Sequence, residues 1–281
     1  MKNLLSAEFS RLFKNRLFHG LLISAFLFGT GMQLYIYFGS LKSDIVPRID
    51  SGFFAIAMLI GFVAAAFVSL FVGTEYSDGT LRNKIIHGKL RRDIYLSKFA
   101  ICGFALLLIY VSYYSASLLF GLPINGKFTS EPSSIIVAAL TLYLSSCSYI
   151  AVFLAIAMNC NKKAVVSVTS LLLAIALFFT AVAVTSMLNE PEYYPESLYM
   201  DENGELRNEP EQPNPNYPTG VKRKVLEIVN DLNPTGQCIQ LSGALDESGF
   251  VYKTDFLLYA AGLIFISTTV GLIVFKKKDI A

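Results

Sequence analysis

Six long apolar stretches constrain this chain more than any other feature of its sequence. Each is about 20 residues or longer and contains no aspartate, glutamate, lysine or arginine. An α-helix needs a stretch of that length to cross the hydrocarbon core of a bilayer. The six windows are 17–39, 52–73, 99–122, 133–158, 164–188 and 256–275.

Composition agrees with a membrane protein. Hydrophobic residues make up 54% of the chain and charged residues only 16%, whereas soluble domains carry about 25% charged residues. Helices satisfy their own backbone hydrogen bonds in lipid, and no stretch alternates with the period of a barrel strand. The sequence therefore predicts an all-α membrane protein with six transmembrane helices. The net charge of +2 gives no support to a nucleic-acid partner.

The basic residues predict the orientation. Short loops rich in lysine and arginine stay in the cytoplasm. If the N-terminus is inside, the outer short loops hold only Lys42, Arg48 and Lys127. The inner segments then hold Lys2, Arg11, Lys14, Arg16, Arg82, Lys84, Lys89, Arg91, Arg92, Lys98, Lys162, Lys163, Lys276, Lys277 and Lys278. Both termini are therefore expected in the cytoplasm.

The leader, 1–16, has helical spacing of its apolar residues. Leu4, Leu5, Phe9 and Leu12 share one face, while Arg11 and other basic residues lie mostly on the other. This pattern predicts a helix in the headgroup plane, with its basic side toward anionic lipid. A short extension of the first span is the alternative.

The long outer loop, 189–254, differs from the rest of the chain. It holds most of the prolines and more than half of the acidic residues, and its first part is expected to be irregular. A short helix is predicted near 220–232, with a stop at Asn233-Pro234. Its apolar stripe is expected to pack on neighbouring helix ends; the stripe comprises Val221, Val225, Ile228, Val229 and Leu232. Residues 255–281 form the last span and a basic tail.

Residues 17–188 are expected to hold the first five transmembrane helices. Within them, a charged hairpin, 74–92, joins the second and third spans. Ser77 or Asp78 can cap a short helix there, and Gly88 is placed to end it. Such a helix is too short to persist alone in water, so it needs tertiary support. From the residues alone, a lipid-anchored turn and a docking helix are equally good interpretations.

A resemblance favours the docking helix. The run Glu75-Tyr76-Ser77-Asp78-Gly79-Thr80-Leu81-Arg82-Asn83-Lys84 resembles the coupling-helix segment of ABC-2 type permeases, particularly the small Gram-positive ones. The leader resembles their interfacial elbow helix. The outer segment around Asn233-Pro234-Thr235-Gly236-Gln237 and the tail Phe275-Lys276-Lys277-Lys278-Asp279 fit the same family, so the resemblance covers nearly the whole chain.

The resemblance implies a type V exporter-like permease in a bacterial cytoplasmic membrane. Two such subunits, identical or related, would pair with two copies of a separate ATPase, and ATP and Mg would bind there rather than on this chain. The hairpin would insert into a cleft of the ATPase, with Leu81 and Ile85 as apolar knobs and Glu75 and Arg82 as rim charges. The full set of expected docking residues is Glu75, Tyr76, Asp78, Thr80, Leu81, Arg82 and Ile85.

Missing features restrict the alternatives. No Gly-x-x-x-x-Gly-Lys-Ser/Thr phosphate loop occurs, so nothing in the sequence indicates ATP binding. No charged residue lies inside any window, which disfavours an ion-coupled secondary carrier. The two histidines, His19 and His87, belong to no catalytic or metal-binding cluster. An ATP-independent carrier and a non-transporting sensor or assembly factor remain the rivals.

Hydroxyl and aromatic residues within the windows suggest helix packing or a pathway. Thr141, Ser145 and Ser148 share a face that we expect to pack against other helices. Ser167 and Ser170 share a face of the fifth span that is also expected to pack, with a mildly polar cavity wall as the alternative, and the phenylalanines of the second span could face lipid, a partner helix or an apolar substrate. The resemblance implies that the second and fifth spans line the pathway. Its candidate lining is then Phe54, Phe62, Phe67, Phe71, Ser167 and Ser170. Because the spans are uncharged, the expected cargo is apolar or amphipathic: an antimicrobial peptide, a lipid-like molecule or a drug.

Overall fold

The computed structural model describes residues 2–43, 46–200, 206–243 and 253–278. Parts of the outer loop (201–205 and 244–252) and of the tail (279–281, including Asp279) lie outside the described residues. The helices are α1 (Lys2–Phe13), α2 (Arg16–Ser43), α3 (Asp50–Phe53), α4 (Ala57–Ser77), α5 (Thr80–Ile86), α6 (Arg91–Asn125), α7 (Pro132–Asn159), α8 (Lys163–Leu188), α9 (Gly220–Leu232), α10 (Pro234–Ser242) and α11 (Asp255–Lys277). The strands are β1 (Tyr193–Tyr194), β2 (Ser197–Met200), β3 (Leu206–Glu209) and β4 (Gln212–Pro213).

The expectation of six spanning helices is confirmed. Within the described residues, the helices long and apolar enough to cross a membrane are Arg16–Lys42, Asp50–Ser77, Arg91–Asn125, Pro132–Asn159, Lys163–Leu188 and Asp255–Lys277. Each of these helices contains one of the six windows in full. The chain is thus a mostly helical, multi-pass membrane protein.

The spans form a bundle with a buried centre and lipid-like edges. α6 packs against α2, α7 packs against α11 and α4, and α4 packs against α8. Large apolar side chains on α2, α8 and α11 point outward, among them Leu27, Phe179 and Phe265. Exposed apolar side chains at this density are unfavourable in water, so these faces match lipid.

Polar contacts inside the bundle fix the packing of its helices. The hydroxyl of Ser145 donates to the side chain of Gln237, and that of Ser148 donates to the carbonyl of Ala260. The predicted packing role is confirmed for these two serines. The Thr141 hydroxyl instead donates to the carbonyl of Val137 in its own helix.

The two ends of the bundle differ. At one end, which we call the α5 end, lie α1, α5 and the residues at the end of α11, 275–278. At the other, which we call the α9 end, α9 and α10 form a hairpin that dips back into the bundle. Asn233, at the apex of the hairpin, donates to the carbonyl of Leu177 in α8. Leu177 lies about 16 Å from the last residue of α8, at a rise of about 1.5 Å per residue.

α10 is buried among α4, α7 and α8. Thr235, at the start of α10, bonds to Tyr149 of α7. Gln237, further along α10, bonds to Ser145, which lies closer to the α9 end of α7. α10 therefore runs from the interior of the bundle back toward the α9 end. Gly236 lies where α9 and α10 cross, and a Cβ there would overlap the carbonyl oxygen of Asn230. This close approach requires glycine.

Two expectations for the outer loop are wrong. Its first part is not irregular, because β1 pairs with β4 and β2 pairs with β3 in antiparallel ladders. The apolar stripe of α9 does not pack on neighbouring helices: Val221, Val225, Ile228, Val229 and Leu232 are all exposed. The helix instead turns Asn230 and Asp231 inward.

Candidate functional site

The backbone of the hairpin is set by two glycines. α4 runs on to Ser77, and Gly79, in the left-handed region at φ 67°, leads into α5. Gly88 at φ 72° follows the end of α5, as its position in the sequence suggests. The predicted cap is wrong, because neither Ser77 nor Asp78 caps α5. The Ser77 hydroxyl donates to the Thr74 carbonyl, within α4.

Beneath α5 lies a buried charge cluster formed by Glu8, Arg11, Glu75, Lys84 and Lys98. Lys98 donates to both Glu8 and Glu75. Lys84 also donates to both carboxylates, at 2.8 Å from Nζ to Oε1 of Glu75. Arg11 bonds to Glu75 as well. The cluster therefore connects four elements: α1, α4, α5 and α6.

Burial makes these contacts energetically important. Lys98 is fully buried, and Glu8 and Glu75 are each only 1% exposed. An ion taken out of water carries a desolvation cost of several kcal/mol, which good geometry and hydrogen bonds must offset. Removing one partner of a buried pair is therefore far more damaging than losing a surface ion pair.

The electrostatics of Lys84 reflect the cluster. Burial disfavours its ammonium group, but the carboxylates of Glu75 and Glu8 outweigh burial and raise the pKa of Lys84. Lys84 therefore remains charged at neutral pH and links α5 to α1 and α4.

An aromatic ring closes one side of the cluster. The guanidinium of Arg11 lies 4.3 Å from the centre of the Phe71 ring and also donates to the Phe71 carbonyl. Phe71 in turn stacks on Phe67. The expectation that Arg11 faces lipid is wrong: its side chain is only 28% exposed and points toward Glu75.

Lys278, which follows α11, forms a second contact at the α5 end. Tyr76 donates to the Met158 carbonyl at the end of α7, and Lys278 donates to the Tyr76 hydroxyl at 3.0 Å. Arg91 donates to the carbonyls of Phe275 and Lys278, which satisfies acceptors left open at the end of α11. Burial, assisted by Arg91, lowers the pKa of Lys278 to about 8.

The structure divides the expected docking residues into inner and outer groups. Asp78, Thr80 and Arg82 are exposed, and Tyr76 and Ile85 are partly buried. Glu75 and Leu81 are each 1% exposed. Glu75 is therefore not a rim charge, and Leu81 is not a free knob, because both are held inside the chain. Ile86, which is 69% exposed, is the apolar side chain that α5 presents.

The expected pathway residues are also divided. Phe54, Phe67 and Phe71 are buried within the subunit. Phe62 packs on Phe178 and remains partly exposed. The hydroxyls of Ser167 and Ser170 are buried without a hydrogen-bond partner among the described residues.

Sequence reasoning missed the cluster itself. Glu8 and Lys98 are 90 residues apart in sequence, so no local pattern pairs them. A signal was nevertheless present: Glu75 and Lys98 lie just beyond the facing ends of two apolar windows, and Glu8 is the one acid in an otherwise basic leader. Charges of opposite sign at adjacent span ends on one side of a membrane are candidates for pairing.

Among the described residues, no three or more His, Cys, Asp and Glu side chains are grouped as metal ligands would be. The lysines and the arginine of the cluster are engaged by carboxylates.

The fold and site define a multi-pass membrane protein with a short helix fixed to the span ends by buried charges. Comparison with protein families gives the class: the ABC-2 family transporter protein model matches residues 2–280, and the chain belongs to that family. It is thus an ABC-2 transporter permease, a family whose members associate with an ABC ATPase. No curated protein matches the chain.

Proposed function

We propose that the chain is the membrane subunit of an ATP-driven exporter, with a separate ABC ATPase docking at the α5 end. The observation that carries the proposal is the two-sidedness of α5. Its inner side is tied to α1 and α4 by the ion pairs of Lys84 and buries Leu81, while its outer side presents Arg82 and Ile86.

The proposed orientation places the α5 end in the cytoplasm, because its basic residues follow the positive-inside rule. On this orientation α1 lies at the cytoplasmic interface as an elbow helix, and α9 lies at the outer side. Two subunits, identical or related, would enclose the pathway between them and engage two ATPases.

The proposed docking surface has two parts. One is the exposed face of α5 and its flanks, formed by Asp78, Thr80, Arg82, Ile86 and Leu90. The other is a shallow groove between α1 and α5, lined by residues that include Asn3, Leu4, Ala7, Asn83 and His87. An exposed isoleucine beside an arginine gives an apolar anchor with a charged rim, which is typical of a binding hot spot.

The buried charge cluster provides the route for mechanical work. Movement of α5 against α1 or α4 would break the ion pairs of Lys84 in a buried site, and the same two carboxylates hold Lys98 of α6. The four helices should therefore move together when the ATPase closes, which would carry the displacement into the second and third spans.

The cargo is proposed to be apolar or amphipathic. Phe62 of α4 and Phe178 of α8 pack on each other and remain partly exposed, and together they offer an apolar wall. An antimicrobial peptide, a lipid-like molecule or a drug fits that chemistry.

A charge and polarity change on the docking face tests the proposal. The double variant Arg82→Glu/Ile86→Asp should reduce the amount of ABC ATPase recovered with the membranes by about tenfold, with a matching loss of ATP-dependent transport. Both side chains are exposed, so the fold should survive.

The matched control makes the same changes at the opposite end. Val46→Asp/Lys127→Glu alters one exposed apolar and one exposed basic residue at the α9 end. It should leave ATPase recovery unchanged. Normal recruitment in the α5 variant, or transport by the purified chain alone in vesicles, would refute the proposal.

A further inference from the structure

The helix α9 has its polarity reversed relative to a helix in water. Its inward face carries Asn230 and Asp231, which are 2% and 8% exposed. Its outward face carries the five apolar side chains of the stripe, with Val221 at 78% and Ile228 at 54% exposure. A helix that points polar residues inward and apolar residues outward is suited to an apolar solvent.

Inward hydrogen bonds hold α9 in this orientation. Asn230 bonds to Thr185 near the end of α8. Asp231 accepts from Lys253 and from Gln240 of α10. The helix therefore cannot rotate its stripe toward the protein without breaking buried polar contacts, each of which is costly to leave unmade.

The neighbours of α9 place the stripe beside lipid. α9 contacts α8 and α11, two spans whose outer faces carry exposed apolar side chains such as Phe179 and Phe265. The Asn233 contact with Leu177 puts the inner end of α9 well below the end of α8. The stripe thus continues the lipid-facing surface of two spans, although α9 is not itself a span.

The charges near the start of α9 favour anionic lipid as its neighbour. Lys222 and Lys224 are exposed and flank the stripe near its first residue. The two acids of α9, Glu227 and Asp231, are paired instead with Arg223 and Lys253. A second copy of the chain seated symmetrically on this face would bring like charges together. Lipid phosphates would instead balance them.

We infer that α9 is an interfacial lipid-binding helix: its apolar stripe lies in the hydrocarbon of the adjacent leaflet, and Lys222 and Lys224 bind anionic headgroup phosphates. The inference requires only that the chain is embedded in a membrane. It does not depend on the direction of transport, the ATPase or the sidedness of the α9 end.

The absence of tryptophan from the chain allows a clean test. Single variants Val225→Trp and Ile228→Trp are reconstituted as the full chain in vesicles, and quenching by brominated acyl chains is measured. Phe265→Trp on α11 is the lipid-exposed reference, and Tyr193→Trp on β1 is the reference outside the spans. The α9 tryptophans should be quenched as strongly as the Phe265→Trp reference and several-fold more than the Tyr193→Trp reference.

Two other results would overturn the inference. Red-shifted emission with quenching by iodide would place the stripe in water. Blue-shifted emission without quenching by brominated lipid would mean that protein, such as a second copy, covers it. Two independent tryptophan positions guard against a variant that disturbs the helix.

The headgroup contact has its own measurement. In the Ile228→Trp background, brominated phosphatidylglycerol should quench more than brominated phosphatidylcholine, with local enrichment on the order of fivefold for each lysine. Adding Lys222→Gln and Lys224→Gln should abolish that excess, whereas Lys42→Gln/Lys127→Gln, at the same end, should leave it unchanged. An excess that survives loss of Lys222 and Lys224 would refute the phosphate contact.

Discussion

Replacing Glu75 by glutamine tests whether the buried charge cluster holds the helices of the α5 end together. The change keeps the side chain's shape but leaves one carboxylate, Glu8, among three cations at a site that is almost completely buried. Removing one partner of a buried ion pair costs about 3–5 kcal/mol. Lys98→Met should cost less, because it leaves two carboxylates balanced by Arg11 and Lys84.

Hydrogen exchange of the full chain in lipid nanodiscs measures this directly. If Glu75→Gln weakens the attachment of α1 and α5 by that amount, their amides should exchange about two to three and a half orders of magnitude faster, since each 1.4 kcal/mol is tenfold. The double variant Glu75→Gln/Lys98→Met should lose less than the sum of the two single variants, because it restores the net charge of the cluster.

The control is an exposed ion pair of similar chemistry. Glu227→Gln breaks the pair with Arg223 on α9, where both side chains are more than a third exposed. It should change exchange very little, because surface pairs contribute about 0–1 kcal/mol. Wild-type exchange of α1 and α5 in Glu75→Gln, or strict additivity in the double variant, would refute the reasoning.

Two further predictions concern the α9–α10 hairpin and the tail. Gly236→Ala should destabilise the chain by about 1–3 kcal/mol, because the added methyl meets the Asn230 carbonyl; an unchanged melting temperature would contradict this packing. While the tail is attached, the Lys278 ammonium should have a pKa of about 8, compared with about 10.4 for a free lysine. The attached tail binds fewer protons above pH 8, so its attachment to Tyr76 should strengthen as pH rises from about 8 to 10.4. NMR titration of the Lys278 ammonium measures the midpoint, and an ordinary lysine value would refute the burial.

The sequence predicts the spans well because lipid imposes one rule on every residue of a spanning helix. The windows lack charge, and the candidate spans differ from them mainly by including polar ends such as Glu75 and Lys98. Those ends are where the prediction fails. Their pairing depends on how distant helices pack, and hydropathy contains no information about that packing.

The face of α9 shows a second limit. Periodicity correctly groups Val221, Val225 and Ile228 on one face, but it does not reveal which way that face points. In water an apolar face turns inward, and the expectation followed that rule. In this chain the inward positions have polar partners, such as Thr185 for Asn230. The apolar face is therefore directed outward.

The hairpin illustrates a third limit. The sequence correctly predicts a short helix here and the glycine that ends it, Gly88, but not which side chains of the helix face outward. Glu75 is paired with Arg11 of α1 and Lys98 of α6, and Leu81 is buried, so neither side chain is left on the surface. A short helix has two faces with similar composition, so only its tertiary neighbours decide which face remains available.

Site-specific photocrosslinking from α5 tests the central claim most directly. A photoreactive side chain is placed at Ile86 in the full chain in its native membrane, with the same group at Val46 as the control at the opposite end. The account predicts that Ile86 crosslinks to a subunit bearing a phosphate loop and an ABC signature, and that Val46 does not. Crosslinks from Ile86 to lipid alone, or capture of that subunit from Val46 instead, would contradict it.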